Sequence, residues 1–159
     1  MAKQFSGSDV VEFAIQIEVN GKKFYEQCIK NSTNQKVKSV FQVLADEEES
    51  HIKTFQDLLK SIQKYDPEDA FPEEYCLYMK SIADEHIFTK NSTFGNVSKY
   101  VQDDFQVLDL AKKFEKDSVS FYEAMLKMVF ESDKEIVQSL INEEKEHFQK
   151  LSRLQEDLK

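Results

Sequence analysis

Apolar residues along this chain recur at intervals of three and four rather than alternating, the spacing of amphipathic helices and not of strands. From about Ser8 to Lys30 the positions Ala14, Ile17, Gly21, Phe24 and Cys28 form one stripe, with Glu18 and Tyr25 beside them on the same side. Asn31, Ser32, Thr33 and Asn34 then supply stop and cap residues. A second stripe follows through Val37, Val40, Phe41, Leu44, Glu48, His51, Phe55, Leu58 and Ile62. So short a connection makes the two helices an antiparallel hairpin. Pro67, Pro72 and Gly95 mark the next stretch, a connection of about forty residues, longer than a turn requires. Within it Glu73 to about Thr89 carries Tyr75, Met79, Ile82 and His86 at helical spacing, which predicts a shorter crossover helix. A further stripe starts with an acidic cap at Asp103 or Asp104 and runs through Leu108, Ala111, Phe114, Glu115, Phe121, Tyr122 and Met125. The last opens on Ser132 with Glu135 three residues on, a predicted capping box, and continues through Ile136, Leu140, Glu144, His147, Leu151, Leu154 and Leu158. The expected fold is all-α: an antiparallel four-helix bundle with a long crossover between its second and third long helices, in one domain spanning residues 1–159.

The two hairpins repeat one another. Sliding the first long helix by 97 positions places Ala14 on Ala111, Glu18 on Glu115, Phe24 on Phe121 and Tyr25 on Tyr122. Sliding the second by 96 positions places Leu44 on Leu140, Glu47 on Glu143, Glu48 on Glu144, His51 on His147 and Leu58 on Leu154. A loop absorbs the difference of one residue. A pseudo-two-fold axis between related hairpins brings equivalent residues together at the centre.

What would meet there decides the chemistry. Residues three apart on a helix share a face, so Glu48 points with His51 and Glu144 with His147. Both pairs lie within apolar stripes, where ionised groups are costly unless paired or metal-bound. Glu18 and Glu115 add one inward carboxylate each. Two single Glu and two Glu-x-x-His pairs make up the ligand pattern of ferritin-like di-iron and di-manganese bundles. Two divalent metals about 3.5 to 4 Å apart repel one another, and bridging carboxylates neutralise that charge and hold the separation. Mixed imidazole and carboxylate donors suit iron or manganese, whereas zinc more often takes a single tetrahedral site.

The sequence resembles the rubrerythrin-like branch of the ferritin-like superfamily over nearly the whole chain except the crossover. The resemblance is carried by Ile17-Glu18 to Phe24-Tyr25, Ala45-Asp46-Glu47-Glu48-Glu49-Ser50-His51, Phe114-Glu115 to Phe121-Tyr122 and Glu143-Glu144-Lys145-Glu146-His147. It implies two iron ions per chain, manganese being the other choice, on Glu18, Glu48, His51, Glu115, Glu144 and His147. It implies peroxide or dioxygen as small oxidant, and a homodimer. Two departures stand out. Full-length rubrerythrins carry a second carboxylate where this chain has Ser118, which leaves a symmetric four-Glu, two-His set more like that of bacterioferritin. They also carry a C-terminal four-Cys rubredoxin domain that does not follow here, so electrons are expected from a separate donor such as a rubredoxin.

Tyr25 and Tyr122 lie seven residues after Glu18 and Glu115, two turns along the same face. They are candidates to hydrogen-bond a ligand or to donate an electron; the plainer reading is a core aromatic with a satisfied hydroxyl. Gly21 costs about 1 kcal/mol in a helix interior relative to Ala, which points to close backbone packing or to room beside the metals for a small oxidant. His86 has no partner motif and reads as a surface or packing residue.

Charge and composition narrow the rest. A net charge of −9 without a dense basic cluster argues against nucleic acid. No apolar run approaches the length of a membrane span, and no signal peptide follows Lys3. Cys28 and Cys76 form neither a disulfide framework nor a thiolate site, which fits a reducing, cytoplasmic setting; the Asn-x-Ser/Thr triplets at Asn31, Asn91 and Asn96 then read as chance rather than glycan sites. Three function classes remain: an oxidoreductase, the favoured one; an iron-handling protein for ferrous oxidation, storage or delivery; and a non-catalytic bundle stabilised by metal.

Overall fold

Four long helices form, in pairs, from the four strong stripes. In the computed structural model, residues 7–64, 73–85 and 103–159 are described. Helix α1 spans Gly7–Asn31 and α2 spans Gln35–Lys64; a short α3 spans Glu73–Glu85; α4 spans Asp104–Leu126 and α5 spans Lys134–Asp157. Among the described residues there is no strand, and no helix is long and apolar enough to cross a membrane. α1 packs along α2 and α4 along α5, and the two hairpins close on each other around one apolar core. The fold is an all-α helical bundle among the described residues.

Local chemistry sets the ends. Asn34 caps α2: its Oδ1 accepts from the backbone N–H of Lys36 at 2.9 Å and of Val37 at 3.1 Å, two of the donors that a helix start leaves without partners. Ser32 links this turn to the second hairpin, its hydroxyl donating to Asp104 Oδ2 at 3.2 Å. Asp103 caps α4 as expected, accepting from the Gln106 N–H at 2.8 Å. The capping box expected at Ser132 does not form. Ser132 lies inside a single 3₁₀ turn, Glu131–Asp133, and the residue that precedes α5 is Asp133, which makes no side-chain cap bond. The chain leaves α4 with Met128 and Val129 buried, and the tight turn that follows brings Asp133 N–H onto the Phe130 carbonyl at 2.8 Å. That places Ser132 one residue too early to cap.

In the crossover, α3 ends at Glu85; Met79 is buried and Ile82 half-buried. The expected extension to Thr89, together with His86, Pro67, Pro72 and Gly95 and the side chains of Tyr75 and Cys76, lies outside the described residues. Gly21 is explained by packing and not by an open space for an oxidant. A Cβ built there would stand 2.5 Å from the Cζ of Phe114, a ring that is itself fully buried. The aromatic core thus presses against the α1 backbone at a position without a side chain.

Candidate metal centre

The six polar residues singled out by spacing meet in the middle of the bundle. α1 contributes Glu18, α2 Glu48 and His51, α4 Glu115, α5 Glu144 and His147, and each is at most 2% exposed. Their donor atoms fall into two overlapping groups. Glu18, Glu48, His51 and Glu144 offer one ligand atom each within 4.8 Å of one another, and so do Glu48, Glu115, Glu144 and His147. Glu48 and Glu144 belong to both groups. Each group therefore has one imidazole and one carboxylate of its own, with two carboxylates held in common, the donor arrangement for two cations side by side.

The imidazoles are aimed by contacts from both hairpins, the shortest of them from the opposite one. His51 Nδ1 points inward, 2.8 Å from Glu144 and 3.5 Å from Glu18. Its Nε2 points outward to Glu143 at 2.7 Å. His147 repeats the pattern, with Nδ1 3.2 Å from Glu48 and 3.4 Å from Glu115 and Nε2 2.6 Å from Glu47. The rings stack across the axis, centroids 5.5 Å apart and planes 16° from parallel. A carboxylate on the outer ring nitrogen fixes the tautomer and leaves the inner nitrogen free to ligate. Glu47 and Glu143 are thus functional positions that face periodicity leaves off the site, because one residue along a helix turns the side chain by about 100°. That rotation carries them across to the other hairpin. The signal that finds them is their own repeat, 96 positions apart like the inner pair.

The tyrosines cross the axis as well. Tyr25 donates its hydroxyl hydrogen bond to Glu115 Oε1, and Tyr122 donates to Glu18 Oε1. Each holds the unshared carboxylate of the other hairpin. Phe41 and Phe114 box Tyr25, and Phe55 and Phe121 box Tyr122, with centroids 5.1 to 6.1 Å from the phenol rings.

Several buried donor atoms have close polar neighbours but no well-aligned hydrogen bond: Glu18 Oε2, both oxygens of Glu48 and of Glu144, Glu115 Oε2, Nδ1 of both histidines and Nε2 of His147. Buried polar atoms without such bonds are costly, and here all but the outward Nε2 converge on one small volume, as they would if cations were their partners. The residues fit a di-metal group. A family model for rubrerythrin matches residues 9–155. The chain belongs to the rubrerythrin family. A crystal structure described as that of a ferritin-like diiron-carboxylate protein, from Thermotoga maritima, shares 24% identity with it over 100% of both chains and superposes with a TM-score of 0.71, which shows the common fold. No curated protein sequence matches it.

In this rubrerythrin-family chain the metal-free centre balances its charge with protons. Burial alone would lower the His51 pKa, but hydrogen bonding and charge from Glu144 and Glu18 outweigh it and push it to about 11. Burial opposes the charge on His147 too, and Glu115, Glu144 and Glu47 again win, raising it far above the ordinary value. Burial, with the charge of Glu144, raises Glu115 to about 8. Burial would raise Glu144 also, yet its close polar neighbours Glu115, His147 and His51 hold it below the ordinary carboxylate range. The hydrogen bond from His147 lowers Glu47 to about 2. The tyrosine hydroxyls are driven well up by burial and by the neighbouring Glu115 and Glu18, so they stay protonated as donors. A cation entering this cluster must displace protons.

Proposed function

We propose that this protein is a di-iron carboxylate oxidoreductase that reduces a small oxidant, peroxide or dioxygen, with electrons from a separate donor. The observation that carries the reading is the pair of ligand groups sharing Glu48 and Glu144. Glu18 and His51 would hold one ion, Glu115 and His147 the other, and the two shared carboxylates would lie between. Two iron ions there supply centres that change oxidation state and polarise a bound small molecule. The chain's own residues do the rest. Glu47 and Glu143 keep the imidazoles in the ligating tautomer, while Tyr25 and Tyr122 keep the unshared carboxylates oriented. The buried aromatic wall around them restricts water. These 159 residues hold two cysteines, too few for a four-thiolate iron centre, so the electrons would reach the bundle from outside it.

The test is anaerobic loading with ferrous iron followed by rapid mixing with hydrogen peroxide or dioxygen. The parent should take up two irons per chain and develop a visible absorbance in one turnover, with repeated turnover requiring added reductant. Glu48→Ala should lose the reaction, because it removes a ligand common to both ions. Equal oxidation rates in Glu48→Ala and the parent would overturn the assigned site; repeated turnover without a donor would overturn the electron-supply part.

A further inference from the structure

The pseudo-two-fold is broken beside the centre. On the His147 side, Lys150 reaches across to Glu47, its Nζ 3.2 and 3.4 Å from the two carboxylate oxygens. Ammonium, carboxylate and imidazole Nε2 stand in line on that face. The shift of 96 positions that carries Glu47 to Glu143 and His51 to His147 carries Thr54 to Lys150. Thr54 does not reach across: its hydroxyl turns back to the Ser50 carbonyl at 3.1 Å. Where the second lysine would lie there is instead an open groove of about 410 Å³ between α2 and the start of α5. Ser50, Thr54, Glu135 and Ser139 are on its walls, and the buried His51 with its half-exposed partner Glu143 is at its inner end.

We propose that this groove is the port through which divalent metal ions reach the centre, passing Glu135 on its wall and then Glu143 beside His51. The inference rests on reading the centre as a metal site and adds the direction from which it is filled. Three features support it. The groove, whose lining also includes Ile136 and Leu140, reaches a metal-ligand candidate, His51. Its volume exceeds the roughly 180 Å³ of six waters at about 30 Å³ each, so a hydrated ion fits. Apart from His51 at its inner end, the polar groups of its lining are carboxylates and hydroxyls, those of Glu135, Glu143, Ser50, Thr54, Ser132 and Ser139, with no cationic side chain among them, while the equivalent face carries an ammonium that repels cations. Glu143 also acts as a latch. Its Oε2 holds His51 Nε2 from outside at 2.7 Å, so a cation that engages Glu143 releases the ring and opens the way to Glu144 and Glu18 behind it.

The experiment is stopped-flow uptake of cobalt(II) by the metal-free full chain, followed by visible absorbance, with bound cobalt counted at equilibrium. Thr54→Lys places an ammonium at the mouth, in the register where Lys150 already spans the other face, and should slow uptake about tenfold or more while the final stoichiometry stays that of the parent. Ser139→Lys, on the opposite wall at an exposed position, should slow it likewise and serves if the first variant folds poorly. Lys150→Thr should not slow uptake. Parent-like uptake rates in both lysine variants, or slowing confined to Lys150→Thr, would overturn the port and leave the metal centre standing. A parent protein that takes up no cobalt at all would overturn the metal reading and the port with it.

Discussion

His51 and His147 each have a carboxylate at both ring nitrogens, and this sets how the metal-free protein responds to pH. The folded pKa of His51, about 11, lies above its ordinary 6.5, and that of Glu115, about 8, lies above its ordinary 4.5. A raised pKa means that the folded chain keeps a proton which the unfolded chain gives up. The His51 contribution is whole below pH 6.5 and is lost as pH rises towards 11; that of Glu115 is whole below 4.5 and is lost through 8. Both therefore destabilise the metal-free fold in the same direction. Its melting temperature should fall steadily from pH 6 to 9, and saturating ferrous iron or manganese should flatten the curve, since cations replace the protons. A metal-free melting temperature that rises over this range would contradict the proton balance. The tyrosines offer a second test at the same scale. Tyr25→Phe leaves one carboxylate oxygen of Glu115 without its donor, and losing such an orienting partner typically costs about 10–100-fold in metal affinity. Competition with a chelator should show that loss in one of the two sites, with helix content unchanged. The six inward residues could be read from spacing because a ligand must lie on its own helix's buried face. Glu47 and Glu143 could not, because their role depends on which helix lies opposite.

At the scale of elements, the sequence marks helix starts well where a polar side chain alone makes the cap. Asn34 and Asp103 each bond backbone N–H groups of the helix they begin, and replacing either with Ala should cost about 1 kcal/mol. Ser132, named by the same rule, bonds nothing as a cap, and Ser132→Ala should stay within about 0.5 kcal/mol. Chemical denaturation of the three variants distinguishes them directly. Ser132 misleads because the start of α5 is fixed by burial of Met128 and Val129 and by a 3₁₀ turn, which is tertiary packing that no local motif encodes. Most of the core stripes carry no such dependence: Ala14, Ile17, Phe24, Leu44, Phe55, Ala111, Phe114, Phe121, Leu140, Leu151 and Leu154 are all buried as their periodicity requires, whereas Ile136, expected in the last stripe, is exposed and its neighbour Val137 is buried instead, because the turn before α5 sets which side of its first turn faces the core.

For the whole molecule, the repeat foretold the bundle and the meeting of its halves, since two hairpins with the same inward residues bury them best against each other. What it could not foretell is where the halves differ in their surroundings, as Thr54 and Lys150 do. The other such difference lies in the core. Phe114 presses on Gly21, and the pseudo-equivalent positions hold Ile17 and Ser118: a large side chain goes with no side chain in one pair, and a smaller one with Ser in the other. Each pair constrains the order in which it can change. Gly21→Ser alone regains less than about 1 kcal/mol of helix propensity but forces its Cβ into the ring, where overpacking costs about 1–3 kcal/mol, so it should lower stability. In a Phe114→Ile background the same change should cost nothing or help, and a thermodynamic cycle over the four proteins should give a coupling of about 1 kcal/mol or more; additive effects would refute the argument. Two halves that descend from one ancestral hairpin would then have drifted apart along a one-way route: once a phenylalanine settles against a bare stretch of helix, the glycine beneath it can no longer revert by itself, and the asymmetry becomes a record of which substitution had to come first.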